Sequence, residues 1–187
     1  MTKVLAIHGS PRMGTTGTLL NHSLLGARGA GGDVLEVSLR DLEYSPCTEC
    51  GGCYESGICV IEDDMQKMYR ELMGTDVMLL ASPVFFLGPP AILKAFIDRC
   101  QSIWIQRERL GKAPESIRPS YLILAGGGRS FDTTYSIVNS FFVTLGFKCM
   151  GRLFVPDVEV PEDLSDEVLQ KAEMLGAAAA TGKPFEV

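Results

Sequence analysis

The chain has 187 residues, 46% hydrophobic and 21% charged, which fits one α/β domain with a sizeable core and leaves little room for two. Its formal net charge of −6, with no run of Lys and Arg to offset it, argues against a nucleic-acid or anionic-membrane partner. No apolar stretch reaches the roughly 18–20 residues of a membrane span, and the start is too short for a secretory leader, so a cytoplasmic protein is expected.

Apolar runs rich in Val, Ile and Leu alternate with segments of helical period. Residues 4–8 read as a strand buried on both faces and stopped by Gly9, and 16–28 as a helix ending in the glycines at 29–32. A second strand is expected at 34–39, then a glycine-punctuated loop with cysteines over 47–59. A helix runs from Asp63-Asp64 to Met73, its acidic residues placed where the dipole favours them. A third strand follows at 77–81. Pro89-Pro90 open a helix expected to continue through Trp104. A fourth strand at 121–125 is closed by Gly126, Gly127 and Gly128; a helix at 131–145, a strand at 148–155 and a last helix at 164–180 complete the series.

Five strands alternating with helices demand a parallel sheet with helices on both faces, a doubly wound α/β sandwich occupying residues 1–187. Such sheets bind ligands beyond the carboxyl ends of their strands. Every unusual segment here follows a strand: 9–18, 47–59, 82–87 and 126–130. One rim is therefore expected to carry the site.

The first of these segments offers hydroxyls, helix N-terminal amides and one cation, a set that suits a phosphate. Residues 9–16 fit G-x-x-x-x-G-T-T, but the lysine of a nucleoside-triphosphate loop is missing, and G-x-G-x-x-G does not occur. A monophosphate is the better match; the plain alternative is a helix capped by Ser and Thr. His8 is expected to be a satisfied buried residue and His22 an ordinary helix residue, so neither a Ser-His-Asp triad nor a histidine metal site is supported. Cys100 and Cys149 read as buried structural thiols, and Asp98-Arg99 as an ordinary charged pair.

Ile7-His8-Gly9-Ser10-Pro11-Arg12 with Gly14 resembles the opening of the NAD(P)H-dependent FMN reductases of the flavodoxin-like superfamily. Ser82-Pro83-Val84-Phe85-Phe86 and then Leu93-Lys94-Ala95-Phe96-Ile97-Asp98-Arg99 resemble that family's second signature. The resemblance spans about the first 130 residues and implies a flavodoxin-like doubly wound sandwich, a five-stranded parallel sheet of order 2-1-3-4-5. It implies that Ser10, Arg12, Thr15, Thr16, Gly17 and Thr18 hold the FMN phosphate. By the same resemblance Pro83, Val84, Phe85, Phe86 and Leu87 wrap the isoalloxazine, and Gly126, Gly127 and Gly128 line its other edge. Two positions depart from the family pattern: Thr16-Gly17 stands where Asn-Thr is usual, and Phe85 where tyrosine is common.

Cys47-x2-Cys50-x2-Cys53-x5-Cys59 places four thiols within thirteen residues, a spacing compact enough to ligate one inorganic centre. C-x2-C-x2-C is typical of cubane ligation. A zinc site is the rival, although structural zinc usually takes two separated C-x-x-C pairs; an empty thiol loop is the third reading. The stretch from Pro46 to Met65 resembles archaeal and bacterial iron–sulfur flavoproteins, which implies a 4Fe–4S cluster beside FMN.

The expected function is hydride acceptance from NAD(P)H onto flavin, which needs no side-chain acid or base, so no catalytic residue is nominated. The alternatives are an electron carrier served by a ferredoxin-like donor, and a thiol or zinc sensor. The family resemblance also implies a homodimer or homotetramer.

Overall fold

A computed structural model describes residues 1–112, 114 and 116–186 of the chain. The strands β1 (Lys3–His8), β2 (Asp33–Ser38), β3 (Val77–Pro83), β4 (Arg118–Ala125) and β5 (Phe147–Val155) form one sheet in the order β2-β1-β3-β4-β5. All four pairings are parallel. The helices are α1 (Thr15–Gly29), α2 (Met65–Gly74), α3 (Ala91–Arg99), α4 (Gln101–Glu108), α5 (Asp132–Thr144) and α6 (Asp166–Thr181). The expected doubly wound flavodoxin-like sandwich of order 2-1-3-4-5 is the fold observed.

Strand periodicity sorts the core into two layers. Leu5 and Ile7 of β1, Met78 and Leu80 of β3, and Leu122 and Leu124 of β4 face α2, α3 and α5. Val4, Ala6, Val77, Leu79, Tyr121 and Ile123 face α1 and α6 on the other side. Both faces are covered, which is why the central strands read as unbroken apolar runs.

On the second face α1 and α6 meet backbone to backbone. A Cβ at Gly26 would lie 1.9 Å from the Glu173 carbonyl oxygen, and one at Gly176 would lie 1.8 Å from that of Ser23. The Ser23 hydroxyl donates to the carbonyl of Ala172 at 2.8 Å, and His22 Nδ1 meets Glu173 Oε1 at 2.7 Å. His22 is thus a link between two helices. The close fit fixes α1, whose N-terminus opens onto the rim.

Two departures from the sequence expectation exceed two residues. The helix expected to run from Pro89 through Trp104 is two helices meeting at Cys100, where the Cys100 N–H donates to Ile97 rather than four residues back. That tightened turn bends the chain. β4 begins at Arg118, three residues before the apolar run, where the Arg118 N–H donates to the Gly146 carbonyl at 2.9 Å and its guanidinium donates to the carbonyls of Leu72, Met73, Thr75 and Leu145. Hydrogen bonding, invisible to hydropathy, extends the strand.

Candidate functional site

Two cavities have no lining residue in common: one at the carboxyl ends of the strands, the other against the C-terminal end of α3 and the start of α4. The first, about 230 Å³, is lined by residues that follow β1, β3, β4 and β5. β1 ends at His8, and the Gly9 N–H donates to the Ala81 carbonyl at 2.8 Å, tying the loop to β3 before α1 begins. The Ser10 hydroxyl donates to the Arg12 carbonyl at 2.8 Å and accepts from the Arg12 N–H, so the loop folds back on itself. Arg12 Nη2 donates to the Glu159 carbonyl at 3.3 Å. Thr15 is buried, and its hydroxyl has no hydrogen-bond partner among the described residues. A buried hydroxyl at a helix N-terminus, beside free amides and a guanidinium, is what an anionic oxygen needs.

Just beyond Phe85, which lines this cavity, Phe86 and Leu87 take φ of 50° and 64°. Two successive left-handed residues without glycine cost about 1–3 kcal/mol each. They persist because Phe85 and Gly88 exchange both backbone hydrogen bonds, at 2.8 and 2.9 Å, and Thr134 donates its hydroxyl to the Leu87 carbonyl. The turn leaves the Phe86 side chain fully exposed at the rim.

The structure brings Ser10, Arg12, Thr15, Thr16, Pro83, Val84, Phe85, Gly126 and Gly127 to one cavity wall. Gly17, Thr18, Phe86, Leu87 and Gly128 lie outside that lining. Thr18 turns its hydroxyl back to the Gly14 carbonyl, and Gly17 faces His8 and Met13. Sequence reading missed Val158 and Glu159, which follow β5. The strand-end rule pointed to that loop too, but no motif marked it.

His8 differs from expectation. It is 1% exposed, yet neither ring nitrogen has a hydrogen-bond partner among the described residues. Burial, followed by the nearby Arg40, holds its pKa below the ordinary histidine value, with Asp41 opposing. His8 therefore sits neutral beneath the loop.

The second cavity, about 280 Å³, is bordered by Cys47, Cys50, Cys53 and Cys59 together with Asp98, Arg99 and Gln101. Residues 42–64 around it form neither helix nor strand. All four thiols are free; Cys47 and Cys50 are exposed, Cys53 and Cys59 half-buried. Burial raises the Cys53 pKa against a backbone hydrogen bond that lowers it, and Cys59, Cys47 and Cys50 add to the rise. A hydrogen bond from the Gly52 backbone, above all, lowers that of Cys50. Among the described residues no three His, Cys, Asp or Glu side chains stand close enough to hold a metal ion as they are. A soft, all-thiol donor set around one cavity nevertheless fits an iron–sulfur centre or zinc.

Side chains from α2, α3 and α4 hold this loop. Gln66 donates to the carbonyls of Cys59 and Ile61, and Gln106 to that of Gly57 at 2.8 Å. Gly57 has φ of 76°, and a Cβ there would fall 2.2 Å from Gln106 Cγ, so only glycine fits. The Arg109 guanidinium lies 4.8 Å from the Tyr54 ring and 5.9 Å from that of Trp104, clamping loop to helix.

Asp98 and Arg99 are not the ordinary pair expected. Asp98 bonds Lys94 on the helix surface, whereas Arg99 turns inward and pairs with Asp63 at 2.5 and 3.0 Å. Burial opposes the charge on Asp63, but hydrogen bonds from Arg99, Ser45 and Met65 outweigh it and hold its pKa below the ordinary carboxylate value. Cys100 is buried as expected and Cys149 half-buried.

The profile of the family described as NADPH-dependent FMN reductase matches residues 2–159. A protein of Archaeoglobus fulgidus named iron–sulfur flavoprotein is 32% identical over 179 residues, covering 95% of this chain and 79% of that one. Another of that name from Methanocaldococcus jannaschii is 34% identical over 142 residues, covering 75% of this chain and 72% of its own. A solved flavodoxin from the Archaea superposes with a TM-score of 0.62 at 14% identity, covering 97% of this chain and 98% of that one, a likeness of fold. Among the described residues no helix is long and apolar enough to cross a membrane.

Proposed function

The chain belongs to the NADPH-dependent FMN reductase family, and from that premise we propose that it is an FMN-dependent oxidoreductase that also ligates a 4Fe–4S cluster through Cys47, Cys50, Cys53 and Cys59. When bound, FMN supplies the exchange between hydride and single-electron chemistry, and the cluster supplies one-electron transfer. Everything else falls to the chain. Thr15, Thr16 and the first amides of α1 would receive the phosphate oxygens, with Arg12 as the fixed cation and the Ser10 hydroxyl, bonded to the Arg12 carbonyl, holding the shape of the loop. Pro83, Val84 and Phe85 would form one wall of the ring site, and the backbone at Gly126 and Gly127 the other. The Glu159 carboxylate, beside Gly127, would accept hydrogen bonds from hydroxyls of the ligand.

One observation carries the flavin reading: the buried Thr15 hydroxyl without a partner, in a cavity that four strand-end loops line. The cluster reading is supported by four free thiols at one cavity and by the iron–sulfur flavoprotein relatives. NAD(P)H is the proposed donor, a ferredoxin-like protein the alternative. Anaerobic mixing of the flavin-loaded protein with NADPH, and separately with NADH, tests this. Rapid loss of the oxidised-flavin absorbance with either is expected. Reduction only by a ferredoxin-like protein identifies an electron carrier instead.

A further inference from the structure

We propose that Arg99, locked by Asp63, is the positioning residue of the cysteine loop and the fixed positive charge beside Cys59; this rests on the cluster reading above. Arg99 is the last residue of α3, and its side chain is 0% exposed. Nη1 donates to the Ser45 carbonyl at 2.8 Å and to Asp63 Oδ2 at 2.5 Å. Nη2 donates to Asp63 Oδ1 at 3.0 Å, reaches the Ile61 carbonyl at 3.5 Å, and lies 3.6 Å from Cys59 Sγ. Ser45 precedes the first cysteine, while Cys59, Ile61 and Asp63 close the segment. One guanidinium therefore ties together both ends of the loop.

Asp63 makes the same connection through its own oxygens, accepting from the Ser45 N–H at 3.2 Å and the Met65 N–H at 3.1 Å. Its position at the start of α2 anchors the pair to the fold. A planar guanidinium spans two carbonyls, a bidentate carboxylate and a sulfur, with the Ile61 carbonyl and Cys59 Sγ sharing the second hydrogen of Nη2, whereas a lysine ammonium has three donors from one point.

The arrangement is polar as well as stiff. Cys59 Sγ and Asp63 Oδ1 meet the same guanidinium nitrogen, so Arg99 supplies the positive charge beside the sulfur and Asp63 the opposing one. Arginine keeps its charge at every working pH, so the field at Cys59 is permanent. Low-dielectric surroundings strengthen it. A fixed cation beside one ligand favours the more negative, reduced form of whatever redox centre that ligand holds.

Two measurements on Arg99→Met, Arg99→Lys and Asp63→Asn test the two halves. Amide hydrogen exchange of the metal-free protein over residues 45–63 should accelerate at least about tenfold in all three variants, with the rest of the sheet unchanged. Unchanged exchange overturns the positioning role. In the iron-loaded protein the cluster midpoint should move in opposite directions. Arg99→Met lowers it and Asp63→Asn raises it, each by about tenfold in the reduced-to-oxidised ratio at fixed potential. Arg99→Lys leaves it near wild type. A loop that merely loosens moves both charge variants the same way, and that result overturns the electrostatic role. Where Arg99→Met fails to fold, Asp63→Asn against Arg99→Lys still gives the sign. Wild-type protein that takes up no iron instead removes the cluster reading, and the exchange result then stands alone on the positioning role.

Discussion

After β1 the chain passes from strand to helix within the six residues from Gly9 to Gly14, whereas after β2 it runs through residues 42–64 without helix or strand. The first loop is shaped by backbone: Gly9 bonds across to β3, and α1 behind it is seated on α6. The second is shaped by side chains that reach in from three helices. A ligand cradle made of backbone inherits the rigidity of the sheet. A loop held by Gln66, Arg99 and Gln106 can be loosened without disturbing that sheet.

The largest effect is expected where the first region is most rigid. Gly176→Ala drives a Cβ to 1.8 Å from the Ser23 carbonyl and forces α1 and α6 apart. Overpacking of that kind costs about 1–3 kcal/mol or more. Denaturant titration should show the loss, and FMN binding should weaken because α1 carries the phosphate loop. Retained stability and affinity would mean that the helix contact does not set the cradle.

Next comes charge. Arg12→Gln removes the one cation lining the first cavity among the described residues; a hydrogen bond to a charged group is worth about 1.5–3 kcal/mol, so FMN affinity should fall about 10- to 100-fold by fluorescence titration. The iron content should stay the same, because Arg12 touches nothing in residues 42–64. A parallel loss of iron would show that the two regions are one unit.

The converse cut is Gly57→Ala. It places a Cβ 2.2 Å from Gln106 Cγ at a φ of 76° and should undock the cysteine loop at a cost of about 1–2 kcal/mol. Trp104, the only tryptophan, reports this through its emission, since Arg109 bridges it to Tyr54. FMN affinity is expected to be unchanged.

The smallest differences lie in pH. His8 has a lowered pKa, so its neutral form is the one the fold accepts. Stability from this site is full above the unfolded value of 6.5 and declines as pH falls below it. Asp63 also has a lowered pKa, and its contribution is present above 3.8, the unfolded value, and lost as pH falls through the depressed one. Unfolding curves from neutral to acid pH should therefore lose the first decrement in His8→Gln and the second in Asp63→Asn. A single shared transition in both variants contradicts the separation.

Much of the architecture is legible in the sequence because it follows from periodicity. The unbroken run Val77–Ala81 reads as a strand covered on both faces, and the alternation of such runs with helical segments gives a parallel sheet, while its order comes with the family resemblance. Gly9, Ser10 and Arg12 announce an anion loop for a local reason, and the cysteine spacing announces itself. What escaped depends on distant partners. Nothing near Arg99 in sequence says that it reaches Asp63, 36 residues earlier. Glu159 lies in no motif, and the bend at Cys100 interrupts a continuous helical pattern. His8 looked like a residue with a partner because buried imidazoles usually have one.

The account stands most directly on what the protein holds when it is purified anaerobically. Quantified together, FMN, iron and acid-labile sulfide should come to about one flavin with about four irons and four sulfides per chain. Flavin without iron would reduce the cysteine loop to a set of free thiols. Protein that binds no flavin at all would contradict the proposed site.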